Sequence, residues 1–268
     1  MRMLEMRWIR AAAAATLLAA AGCAATGINK GQFNIISSDE EVSTGAEFAS
    51  QVDSQFTIHD DPVLTAYVQS VGDRVTAVCD RRDIEYRFAV IREDQVNAFA
   101  LPGGYIYLYT GLMKTIDDEA QLAAVIAHEV GHVTARHATE RLTAMYGYQV
   151  VASLILGSDP NRFASLVAGI FSTTGFLAYS RSNEFEADRL GTTYAYQAGY
   201  DPAGMSELLG KFLDTEQRQP SKLESWLSTH PPTADRISGV QSVIASLPAR
   251  AGGTRNAAAF AKMKARLP

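Results

Sequence analysis

Ala127-His128-Glu129-Val130-Gly131-His132 is the stretch on which the reading of this chain turns. Its neighbours Leu122, Ala123, Val125, Ile126 and Val133 are apolar, which reads as a buried helix. On a helix, residues four apart lie about 40° apart around the axis, so the imidazoles of His128 and His132 can grip one metal ion. Glu129 lies about 100° round from His128 and can lean toward what that metal binds. H-E-x-x-H in this setting points to zinc plus a general base for hydrolysis. The competing reading is a surface helix with incidental histidines, and the apolar flanks argue against it.

Composition bounds the rest. A chain of 268 residues holds one sizeable core or at most two small domains. With 20% charged and 47% hydrophobic residues it has an ordinary globular make-up, and a net charge of −5 argues against a nucleic-acid partner.

Arg2, Arg7 and Arg10 precede an apolar, Ala-rich run over residues 11–21 that is too short to span a bilayer and reads as a secretory signal. The run ends in Leu18-Ala19-Ala20-Ala21-Gly22-Cys23, which resembles the lipobox of bacterial lipoproteins. That makes 1–22 a signal peptide and Cys23 a lipidated first residue; an ordinary signal with an incidental Cys23 is the alternative. Ala24 stands where inner-membrane retention calls for Asp, so the expected address is the periplasm, anchored to the outer membrane. With Cys23 lipidated, Cys79 is the only thiol left. An intramolecular disulfide and a thiolate zinc site are then excluded, and any metal must be held by His and carboxylates. Cys79 itself reads as a plain core residue.

In order along the chain, residues 23–57 read as the lipidated Cys and a tether, with a short helix around Asp39–Gln51. Asp61-Pro62 caps a helix with Leu64, Tyr67, Val68, Val71, Val75 and Val78 on one face. Three strands follow, around Ile84–Val90, Gln95–Ala100 and Tyr105–Tyr109. They suggest a small sheet over the site, either purely structural or with an edge near Tyr105–Tyr109 that holds an extended peptide by strand addition. Thr115–Asp118 resembles a capping box for the motif helix, which is expected to run to about Arg141. His137 comes nine residues after His128, half a turn away, and is excluded as a ligand. Gln149–Gly157 and Phe163–Tyr179, broken by Ser158-Asp159-Pro160-Asn161, read as a buried helical hairpin, with a membrane-touching or lid element as the alternative. Residues 251–268 read as a C-terminal tail.

A zinc hydrolase needs three protein ligands and an open position. Glu184 and Asp188, four apart on one helix face, are the best candidates for the second half of the site. Glu184 can reach the metal while Asp188 accepts the N–H of a ligand histidine. Glu186 points elsewhere and is expected to be solvated.

His128–His132, then Tyr179-Ser180-Arg181 running into Glu184-Phe185-Glu186-Ala187-Asp188, then Ser228-Thr229-His230-Pro231-Pro232-Thr233 with Arg236, resemble the HtpX/CaaX-prenyl-endopeptidase family of zinc metallopeptidases. Leu101-Pro102-Gly103-Gly104 and Asp118-Glu119 match as well. The resemblance implies an α+β fold: a mainly helical, zincin-like (gluzincin) metalloprotease domain over 58–250, with a small three-stranded sheet over the active-site helix. It implies one Zn2+ per chain on His128, His132 and Glu184, with Glu129 as catalytic base. Asp188 falls where the family often has a proton donor, against the physical reading of a partner to a ligand histidine. His230 falls near the metal, as an oxyanion stabiliser, as an occupant of the open zinc position, or as a mere turn residue before Pro231-Pro232. Arg236 is a second candidate for the oxyanion. Size and lipobox are similar to the bacterial periplasmic lipoprotein branch, implicated in outer-membrane protein quality control. The expected function is therefore a zinc endopeptidase of the cell envelope that degrades unfolded or misassembled envelope proteins. A chaperone-like factor with a self-inhibited zinc site and a processing protease with one substrate are the alternatives.

Overall fold

The computed structural model describes residues 28–29, 34–156, 178–219, 221, 223–231, 233–250 and 252–268. The signal peptide, Cys23 and nearly all of the second apolar segment, with the break before it, lie outside them.

Helix α1 (Ser38–Gln55) starts at a capping box between Ser37 and Glu40. Helix α2 (Pro62–Thr76) starts at Asp61, whose side chain accepts from the amides of Val63 and Leu64, and buries Leu64, Val68, Val71 and Val75. Strands β1 (Arg87–Ile91), β2 (Ala98–Leu101) and β3 (Tyr105–Tyr109) form one mixed sheet in the order β1-β3-β2. β1 and β3 run parallel, and β2 and β3 antiparallel. Tyr105–Tyr109 is thus the central strand, not an edge. The edge that lies against the motif helix is β2. A tight turn at Pro102–Gly104, with Gly103 at φ 74° and Gly104 at φ 92°, joins β2 to β3.

The short α3 (Thr110–Thr115) leads to α4 (Glu119–Thr134), which carries the motif. The cap of α4 is Asp118 alone, accepting from the Gln121 amide; Thr115 instead bonds back to the Gly111 carbonyl. Every residue of α4 is buried, so it has no solvent face and forms the central rod of the fold. It packs against α2, β2, α6 (Arg181–Gln197) and α7 (Ala203–Arg218). The helix does not reach Arg141. It ends at Thr134, and Arg136, left-handed at φ 58°, turns the chain into α5 (His137–Leu156). The first apolar segment is therefore the end of α5 rather than a separate helix. Then come α8 (Glu224–Thr229), α9 (Ala234–Ser246), capped by Thr233, and α10 (Ala257–Lys264).

Elements on both sides of residues 58–250 pack against the fold. α1, which contains the short helix expected around Asp39–Gln51, docks so closely on the Pro102–Gly104 turn that a β-carbon at Gly45 would lie 2.0 Å from the Pro102 carbonyl oxygen. Glu41 on α1 is buried and holds Arg81 at 2.7 Å and Arg136 at 2.8 Å. The C-terminal tail docks as well. Phe260 is fully buried, Thr254 pairs with Tyr200, and the Arg255 carbonyl accepts from the Glu119 amide. Cys79 is a buried free thiol. Among the described residues no helix is long and apolar enough to cross a membrane.

Candidate metal centre

His128 and His132 project from successive turns of α4, and Glu184 from the first turn of α6. Two glycines bring these helices into backbone contact. A β-carbon on Gly131 would lie 2.9 Å from the Ala187 carbonyl oxygen, and one on Gly191 would lie 2.8 Å from the His128 nitrogen. That approach, not side-chain reach, sets the distance between the histidines and the carboxylate. His230 enters as the residue that ends α8, its amide bonded to the Trp226 carbonyl at 2.7 Å and its ring packed on Trp226.

These four residues converge in a buried cluster whose donor atoms all lie within 4.8 Å of one another. His128 Nε2 is 3.1 Å from His132 Nε2, 3.4 Å from His230 Nδ1 and 3.6 Å from a Glu184 oxygen. The other Glu184 oxygen is 3.3 Å from His132 Nε2 and 2.9 Å from His230 Nδ1. A tetrahedron with metal–nitrogen bonds of about 2.0–2.1 Å has edges of about 3.4 Å. Three imidazoles and one carboxylate at these separations fit a zinc ion. Nitrogen and oxygen donors without thiolate are as composition required.

Charge is unevenly shared over the cluster. Burial alone would raise Glu184, but His230, His128 and His132 hold its carboxyl well below the usual range. Burial holds His132 well below its ordinary value, hence neutral. Burial would do the same to His128, but Asp188 and Glu184 push it up to about 9. Glu129 is fully buried, and among the described residues both its oxygens, like His230 Nε2, lack a hydrogen-bond partner. The nearest imidazole nitrogen is His230 Nε2 at 3.7 Å. Burial raises the Glu129 carboxyl, and the fields of His230 and His128 offset part of that rise.

A second ring of contacts orients the first. His128 Nδ1 lies 3.0 Å from Asp188 Oδ1. Both Asp188 oxygens accept from Arg236 at 2.7 Å, and the same guanidinium reaches Glu184 at 2.8 Å. Arg236 is thereby committed to two carboxylates and buried, which removes it as a candidate for an oxyanion. His132 stacks on Tyr179 with ring centroids 4.0 Å apart. Its Nδ1 meets His137 Nδ1 at 2.9 Å, and His137 Nε2 lies 3.3 Å from Glu186. His137 is outside the donor cluster, but it does not face away: the break at Arg136 swings it beside His132. Glu186 is not solvated either. Its side chain is 16% exposed and holds His137, Arg189 and the Asn29 amide. Nothing in Thr134-Ala135-Arg136 marks a helix end, so helical geometry gave the wrong side for His137; a histidine five residues past the motif was the only signal.

The family model for peptidase family M48 matches residues 62–244. Among similar curated proteins, the beta-barrel assembly-enhancing protease of Yersinia pestis is 33% identical over 241 residues, covering 85% of this chain and 49% of that protein. The protein of the same name in Escherichia coli K12 is 34% identical over 219 residues, covering 77% and 44%. The mitochondrial metalloendopeptidase OMA1 of Schizosaccharomyces pombe is 32% identical over 221 residues, covering 80% and 64%. The chain spans about half the length of the two bacterial relatives. A match over most of the chain, joined to the H-E-x-x-H helix and its carboxylate partner, bears out the resemblance read from the motifs: the chain belongs to peptidase family M48, a family of metalloendopeptidases.

Proposed function

We propose that this protein is a zinc-dependent endopeptidase of the bacterial cell envelope that acts on misassembled outer-membrane or periplasmic proteins. The observation that carries the chemistry is the His128, His132, Glu184 and His230 donor set with a buried Glu129 beside it that has no hydrogen-bond partner among the described residues. The chemistry zinc supplies in such a set is Lewis acidity toward water and a scissile carbonyl. His128, His132 and Glu184 are the ligands on two long helices, as in a gluzincin site. Glu129 takes the proton from the attacking water and delivers it to the leaving amine; burial moves its carboxyl toward the operating pH, where a base works best. Asp188, on His128 Nδ1 and saturated by Arg236, orients that ligand, which supports the partner role over that of proton donor. β2, an edge strand packed on α4, is the strand available to hold an extended peptide.

Two supports bear on the setting. The names of the bacterial relatives refer to β-barrel assembly, and the run before Cys23 has a lipobox pattern. Replacing Cys23 by Ser is expected to abolish lipid labelling and release the protein from the membrane fraction. Unchanged labelling would remove the anchor from the proposal.

Digestion of casein and unfolded envelope proteins by the zinc-loaded chain is expected, with Glu129→Gln reducing it by about 100-fold or more while zinc stays bound. Equal digestion by this variant would remove Glu129 as base. A second reading, a chaperone-like factor with a shut site, is favoured by one feature: His230 Nδ1 occupies the fourth corner of the donor set. If that contact restrains the enzyme, His230→Ala digests casein faster than wild type. If His230 instead stabilises the oxyanion, the variant is slower.

A further inference from the structure

We infer that His137 and Glu186 are positioning residues for His132: together they fix which of its nitrogens carries the proton and leave the other free for the metal. This rests on the zinc reading above. His132 Nε2 faces the donor set, 3.1 Å from His128 Nε2. Its other nitrogen, Nδ1, lies 2.9 Å from His137 Nδ1. When both rings are neutral, the two nitrogens at that distance share one proton. Were it on His137, His132 would have to carry its own proton on Nε2, and that nitrogen could not take a metal. With the proton on His132 Nδ1, Nε2 is free, and His137 must then be protonated on its own Nε2.

That second arrangement is the one Glu186 selects. Its Oε2 lies 3.3 Å from His137 Nε2 and accepts only. The other oxygen, Oε1, is taken by the Asn29 amide at 2.9 Å and by Arg189 at 3.3 Å, so Oε2 is held toward His137. Asn29 also donates its side-chain amide to the Ala135 carbonyl, where α4 ends. His137 has almost no freedom to choose otherwise: it is 1% exposed, follows the left-handed Arg136, and sits beside the Tyr179 ring that stacks on His132. The two motif histidines are thus oriented by devices of different length. His128 uses one carboxylate directly, and His132 uses a carboxylate acting through a second histidine.

The test is zinc affinity, measured for the full chain with Zn2+ against a chromophoric chelator, together with the tautomer of His132 in nitrogen-15 NMR spectra. His137→Ala is expected to bind zinc about 10- to 100-fold more weakly and to shift the His132 proton toward Nε2. His137→Gln, whose side-chain carbonyl can accept from His132 Nδ1, is expected to recover most of that affinity. Glu186→Ala, at a half-buried position, is expected to weaken zinc by several-fold and decides alone if His137→Ala fails to fold. A purely structural role would lower thermal stability in these variants and leave zinc affinity within twofold of wild type, which overturns the inference. A wild-type chain that does not bind zinc overturns the metal reading instead.

Discussion

The two halves of the donor set are built differently. His128, His132 and Glu184 stand on α4 and α6, helices of 16 and 17 residues whose backbones touch through Gly131 and Gly191. His230 stands at the end of α8, a helix of 6 residues without a side-chain cap. A helix that short has no stability of its own and keeps its shape only through its contacts. Those contacts are the packing of Trp226 on Phe212, with ring centroids 4.9 Å apart, and a hydrogen bond from Asn97 on the segment entering β2 to Ser225 at 2.8 Å. The contrast places the rigid geometry in the long helices and leaves the short one as the point where the proposed control of access is to be tested.

The strongest way to break the rigid half is at Arg236. Its guanidinium neutralises Asp188 and Glu184, all three being nearly fully buried. Arg236→Met leaves two buried carboxylates without their partner, and a loss of about 3–5 kcal/mol is expected in urea unfolding of the metal-free chain. A loss below 1 kcal/mol would show that the clamp is not needed. Gly191→Ala comes next. The new methyl would lie 2.8–2.9 Å from backbone atoms of Ala127 and His128, which cannot swing away as a side chain can. The helices must part, at about 1–3 kcal/mol, and zinc affinity should fall with the same substitution because Glu184 moves away from His128. Retained zinc affinity would mean that the donors tolerate the displacement.

How far the sequence could be read follows the same division. Contacts within one helix, or between residues with a shared helical phase, were legible: the His128–His132 pair, the Glu184–Asp188 face, the Asp61-Pro62 start of α2. The positions of the three strands were legible from alternation and turn residues, but not their order. Pairing β1 with β3 in parallel and leaving β2 at the edge depends on a crossover that local pattern does not encode. Arg136 was opaque for a different reason. A non-glycine residue in the left-handed region costs energy, and it is held here by tertiary contacts, with Glu41 on its Nε and the Ile36 carbonyl on its Nη2. Glu41 lies on the short helix expected around Asp39–Gln51 and Ile36 on the stretch before it, both far from the motif in sequence, so local pattern around the motif could not place His137. His230 is intermediate: the motif marked it, but only the packing of α8 shows that it reaches the donors through Nδ1.

The mildest test addresses the short half alone. Asn97 is buried, donates to Ser225, and accepts through its own oxygen from the Ala98 amide. Replacing Ser225 by Ala removes the bond to α8 without touching β2, the donor set or Glu129. One such bond contributes about 0.5–1.5 kcal/mol, so the displaced state of α8 should gain at most about tenfold in population. If access is governed there, casein digestion rises by a factor in that range while zinc affinity changes little, since three donors remain on α4 and α6. Amide exchange in residues 224–229 should quicken in parallel, and exchange in α4 should not. Faster exchange in α8 with no change in digestion would separate the two, and access would then have to be sought at the β2 edge rather than at His230.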